Sequence, residues 1–99
     1  MANTTDLVIT CAGEDEIINQ ISASTGIDFQ QITDSKKCGG DKDVWFESYA
    51  ACYRCLGDEK ITEVINAFKS ARFTFPELAV LIIYDDNSDK FNGVHTKIN

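Results

Sequence analysis

Pro76 divides an amphipathic stretch from a wholly apolar one, and this junction limits the folds open to the chain. Upstream, Ile61, Val64, Ile65 and Phe68 recur at the i, i+3, i+4, i+7 spacing of one helix face. Glu59 and Glu63 lie near the start of that stretch and Lys69 and Arg72 near its end, where the helix dipole favours each sign. Asp58 reads as the N-cap, so a helix is expected over Asp58–Ala71. Proline bars its continuation, because it lacks an N–H and its ring clashes with the preceding turn. Beyond it, Leu78–Tyr84 is an unbroken apolar run suited to a strand covered on both faces.

The N-terminal third supplies a second strand and helix. Leu7–Cys11 is short, β-branched and followed by Gly13, which reads as a strand feeding a turn. Ile17, Ile18 and Ile21 share a helix face across Glu14–Thr25, and Gly26 with apolar Ile27 has the form of a Schellman stop. Phe29–Thr33 is a weak strand and Asp34–Lys42 a polar loop. After Tyr84, Asp85–Asp89 forms a turn, and Phe91–Ile98 returns as an antiparallel strand with Asn92-Gly93 marking a bulge or second turn.

Asp43–Leu56 admits two readings. As a strand it mixes Glu47 with Trp45, Tyr49, Ala51 and Tyr53 on one face, and neither face is clean. As a helix it gathers Trp45, Phe46, Tyr49, Cys52, Tyr53 and Leu56 on one side, with Asp43 as N-cap and Gly57 as C′ residue, so helix is the expectation. The fold class is therefore α+β, a single domain over residues 1–99 with a sheet of three to four strands and two to three helices packed on it. The alternative is ferredoxin-like, βαββαβ, in which Val44–Cys55 becomes a strand paired with Phe29–Thr33.

Charge is distributed unevenly. The chain of 99 residues carries a net charge of −7, and no Lys or Arg precedes Lys36, while Asp6, Glu14, Asp15, Glu16, Asp28 and Asp34 do. An anionic surface repels nucleic acid and anionic lipid and attracts basic proteins. The residues expected to contact such a partner are Glu14, Asp15, Glu16, Asp28 and Asp34, joined by Asp85, Asp86 and Asp89 on the turn. Glu14, Asp15 and Glu16 also have a purely structural explanation, since acids in a first turn complement the helix dipole. No window approaches the roughly 20 apolar residues of a membrane span, and the N-terminus lacks the charged and apolar regions of a signal peptide, so a cytoplasmic location with reduced thiols is expected.

Motifs that would carry chemistry are incomplete. Cys52-Tyr-Arg-Cys55 closes a segment instead of opening a helix, against redox use, and Cys11, Cys38 and His95 give no second CxxC spacing for zinc. Asp85–Asp89 begins like a calcium loop, but Lys90 and Thr96 stand where Gly and the bidentate Glu are required. No nucleophile is placed by motif beside His95, so it reads as a surface strand residue and an enzyme is not expected. Trp45, Phe46, Tyr49 and Tyr53 read as core.

No cofactor and no metal are expected, and no family motif is present. The function expected from size, acidity and lack of catalytic motif is inhibition of a basic protein, as an immunity protein does against a bacterial nuclease toxin. A phage-encoded DNA mimic is the alternative. A metal-binding or redox module built on the CxxC is the second alternative.

Overall fold

The computed structural model describes residues 4–34 and 45–97. The expected loop beyond Asp34, Cys38, the Asp43 cap and Ile98 lie outside them. Strand β1 (Thr4–Ala12) leads through Gly13 into helix α1 (Asp15–Thr25), followed by β2 (Gln30–Asp34) and β3 (Phe46–Arg54). Helix α2 (Asp58–Ser70), a single 3-10 turn (Pro76–Leu78), β4 (Val80–Asp85) and β5 (Gly93–Thr96) complete the order. The strands form one sheet, β2-β3-β1-β4-β5, antiparallel at every pairing. The class is α+β, with one strand more than the sequence suggests and two α-helices. With the 3-10 turn left aside, its first six elements follow the βαββαβ succession of the alternative architecture, and β5 extends one edge.

The expected helix over Asp43–Leu56 is corrected to strand β3, which pairs with β1 from Ala12↔Phe46 to Thr4↔Arg54. Glu47, Tyr49 and Ala51 point into the core, while Phe46 and Cys52 point out. The acid that spoiled the strand pattern is accommodated because the Tyr49 hydroxyl donates to its carboxylate. Gly57 consequently serves as N-cap of α2, and Asp58 is its first residue rather than its cap.

The helices form where apolar spacing allows one buried stripe each. α1 buries Ile18 and Ile21, and α2 buries Ile61, Val64 and Phe68, with Ile65 half-buried. Gly26 ends α1 at φ 75°, a left-handed conformation open to glycine, and its N–H bonds the Ser22 carbonyl at 2.8 Å. Lys60 Nζ donates to the Thr25 carbonyl at 2.9 Å, placing a cation at the negative end of α1. Phe68 packs on Phe73 with ring centroids 5.6 Å apart.

Both helices lie on one face of the sheet, against Leu7, Ile9, Tyr49, Leu81 and Ile83. Right-handed crossovers in a split βαβ arrangement put both there, which leaves the opposite face open. The expectation that Leu78–Tyr84 is covered on both sides is corrected accordingly. Leu78 belongs to the 3-10 turn, and β4 alternates buried Leu81 and Ile83 with Ile82 and Tyr84, 42% and 57% exposed.

Candidate functional site

Strand direction divides the acids between two ends of the sheet. Ala12 of β1 pairs with Phe46 at one end, and Thr5 pairs with Asp85 toward the other. Glu14, Asp15 and Glu16 begin α1 at the first end, and Asp34 finishes β2 there. Asp28 precedes β2 at the second end, where the β4–β5 turn carries Asp86 and Asp89. At roughly 3.3 Å per residue the two groups stand on the order of 20 Å apart along β1. They do not merge into one surface.

Two of the eight expected contact residues are consumed by the fold. Asp85 is 4% exposed, so its carboxylate cannot face a partner, which corrects its assignment to the exposed turn. Its Oδ1 accepts from the Thr5 hydroxyl at 3.3 Å and from the Asn87 N–H at 3.2 Å, while its own N–H donates to Asn92 Oδ1 at 2.6 Å. The Glu14 carboxylate accepts from the backbone N–H groups of Thr74 and, at 3.5 Å, Phe75. It therefore fastens the segment after α2 to the start of α1.

Asp15, Glu16, Asp28, Asp86 and Asp89 are exposed. Asp86 accepts from the Thr4 N–H at 2.8 Å but keeps its charge at the surface. Asp58 and Glu59, expected from the sequence as the cap and first-turn acids of a helix, reach the same end because β3 delivers α2 there. Among the described residues the ion pairs are Lys60–Glu63 at 2.8 Å and Lys90–Asp58 at 3.8 Å. The second shows that the turn after β4 meets the start of α2. One end of the molecule thus gathers Asp28, Asp58, Glu59, Asp86 and Asp89, with Arg54, Lys60 and Lys90 as the cations beside them.

Three groups that could do covalent chemistry, Cys11, Cys52 and Tyr49, are held toward their neutral forms. Burial pushes the Cys11 thiol up to about 11. The Cys52 thiol is also raised, chiefly by its hydrogen bond to the Asp6 carboxylate. Burial and the bond to Glu47 raise the Tyr49 phenol. A thiol attacks as thiolate, so these environments oppose nucleophilic use near neutral pH. Cys52 and Cys55 are exposed on and just after β3, not on the helix expected over Asp43–Leu56. His95 Nε2 lies 2.8 Å from the Phe91 carbonyl and must donate to it, since a carbonyl only accepts.

Among the described residues no group of three or more His, Cys, Asp or Glu side chains is arranged to hold a metal ion. No helix among them is long and apolar enough to cross a membrane. The aromatic set is divided: Tyr49 is core, Trp45 and Tyr53 are half-buried, and Phe46 is 42% exposed on the open face. A cleft of about 380 Å³ beside α1 is lined by Gly13–Ile17 and Thr74. Comparison with protein-family models, with curated proteins and with solved structures found no match to this chain.

Proposed function

We propose that this protein is a small cytoplasmic inhibitor that binds a basic protein, and that its partner is a nuclease toxin against which it acts as an immunity protein. The observation that carries the proposal is the excess of exposed carboxylates at one end: Asp28, Asp58, Glu59, Asp86 and Asp89, which Arg54, Lys60 and Lys90 offset only in part. Such a surface presents negative charge where a nuclease accepts phosphates. It speeds encounter and excludes acidic partners, while a smaller desolvated centre sets the lifetime of the complex. The raised thiols of Cys11 and Cys52 and the hydrogen bond of His95 to the Phe91 carbonyl favour binding over catalysis. A DNA mimic would need carboxylates in rows at phosphate-like spacing, and acids separated at two ends favour this reading less.

Affinity capture of the native partner, identification of the captured protein and stopped-flow association with it test the proposal. The captured partner is expected to be basic and to have nuclease activity that this chain inhibits. Its association rate is expected to fall steeply with salt while dissociation changes less. Replacing Asp28, Asp86 and Asp89 together by Asn should slow association, whereas Asp15→Asn with Glu16→Gln at the far end should leave it close to wild type. An acidic partner, or an association rate unchanged between low and high salt, would refute the proposal.

A further inference from the structure

The face of the sheet that the helices leave open carries an ordered apolar band. Register places Ala50 beside Val8, Val8 beside Ile82, and Ile82 beside Val94, so these side chains cross β3, β1, β4 and β5 in one row. Tyr84 and Val80 flank the row on β4. Ile82, Tyr84 and Val94 are 42%, 57% and 64% exposed, among the largest exposures of any large apolar side chain described. A depression of about 470 Å³ beside the row is lined by Asp6, Val8, Ala50 and Cys52. Exposed apolar surface organised in this way marks an interaction site.

We propose that this face is a homodimer interface, in which the sheets of two copies pack face to face. Charge decides against a basic occupant. The open side of β1, β3, β4 and β5 holds Asp6 and Arg54, one of each sign, so it offers no net attraction to a cation-rich protein. Area is sufficient for a second copy. Five strands about 4.8 Å apart and on average some 20 Å long give the face on the order of 500 Å² in plan. Pleats and side chains raise the accessible area toward the roughly 800 Å² per partner of a standard interface.

The pattern is also self-complementary. A two-fold axis lying in the interface along the row sets Val8 on Val8 and Ile82 on Ile82. It exchanges the positions on either side, so Asp6 meets Thr10, Tyr84 meets Val80, Cys52 meets Ser48 and Arg54 meets Phe46. No acid faces an acid. Thr10 and Ser48 share one hydroxyl–hydroxyl bond of 3.2 Å, so one of their two protons can be donated to the Asp6 carboxylate across the axis. Sheets packed in this aligned way cross at about 30° and interdigitate such side chains.

The dimer proposal does not depend on the inhibitor reading, and salt separates the two. Two copies of net charge −7 repel, so salt should strengthen self-association, whereas it should weaken binding to a basic protein. Sedimentation equilibrium of the full chain between about 1 µM and about 1 mM tests the proposal. The average mass is expected to rise from 11.0 kDa toward twice that value, at lower concentration when salt is added. Ile82→Glu, with its fold checked by circular dichroism, should hold the protein at monomer mass throughout. Val94→Lys gives a second disruption at a more exposed site. A wild-type chain that stays monomeric over the whole range at high salt would overturn the proposal. So would dimers of undiminished affinity in both variants, or a basic partner whose binding is lost with Ile82→Glu while the wild type alone stays monomeric.

Discussion

The Tyr49 hydroxyl donates to the Glu47 carboxylate two residues earlier on β3, and this bond holds an acid on the core side of the sheet. Removing the donor leaves a carboxylate that is 7% exposed without its partner. Such a loss costs about 1–3 kcal/mol. Tyr49→Phe is therefore expected to lower the thermal midpoint, and Tyr49→Phe combined with Glu47→Leu to recover part of the loss, since a matched apolar pair leaves nothing unsatisfied. Equal midpoints for wild type and Tyr49→Phe would show that the bond contributes nothing.

The same pair sets a pH dependence. A phenol whose pKa is raised in the folded state stabilises the fold below its unfolded value, about 10, and that stability is lost as pH rises beyond it. Cys11, raised to about 11, adds a similar loss that begins near the ordinary thiol value of 9.0. Melts at about pH 8 and about pH 11 should show a steep alkaline decline in the wild type. Tyr49→Phe should flatten it in part, leaving the share that belongs to Cys11.

Phe68 is fully buried and lies against Phe73, where both helices meet the sheet. Truncation to alanine opens a cavity among Ile61, Val64 and the β-strand residues and should cost about 3–5 kcal/mol. Ile65→Ala, at a half-buried position on the same helix, should cost clearly less. A melt in which Phe68→Ala loses no stability would contradict this packing.

These residues also mark how far the sequence could be read. The stripe Ile61, Val64, Ile65, Phe68 and the stop at Gly26 announce both helices, because each rests on local spacing and on a backbone need that few residues meet. β3 was hidden by Glu47, whose burial depends on a hydroxyl at i+2 that breaks the apolar alternation. The apolar run of β4 reads as a doubly covered strand because hydrophobicity alone cannot tell a buried face from an open one. The acids were legible as residues but not as a surface. Their division between two ends follows from strand order, and the retirement of Asp85 and Glu14 into structural bonds follows from contacts across 80 positions of sequence for Thr5–Asp85 and 60 for Thr74–Glu14.

Glu14 links distant parts of the chain through two backbone N–H groups, those of Thr74 and Phe75. Hydrogen exchange at these amides should quicken in Glu14→Ala, with the effect confined to the segment after α2. The cost to global stability should be about 1 kcal/mol, since the carboxylate is only half-buried. Gln at this position keeps an acceptor and should protect one amide better than Ala does. Unchanged exchange at both amides would remove the structural role assigned to Glu14.

Cys52 donates its thiol proton to Asp6 across the β1–β3 pairing, where the two residues are register partners. That bond and the neighbouring negative charge both favour the protonated thiol, so Cys52 should react slowly with a disulfide probe despite its exposure. A variant with Cys38 and Cys55 changed to Ser leaves Cys52 and the fully buried Cys11 as the remaining cysteines. In that background Asp6→Asn removes the charge and the stronger acceptor. Labelling of Cys52 near neutral pH should accelerate, and the pH midpoint of its labelling rate should move down toward the ordinary thiol value. If Asp6→Asn leaves both rate and midpoint where they were, the hydrogen bond does not govern the thiol. Because Asp6 and Cys52 also lie on the proposed dimer face, labelling of the unsubstituted Asp6 protein should slow further as concentration rises, and Ile82→Glu should abolish that dependence.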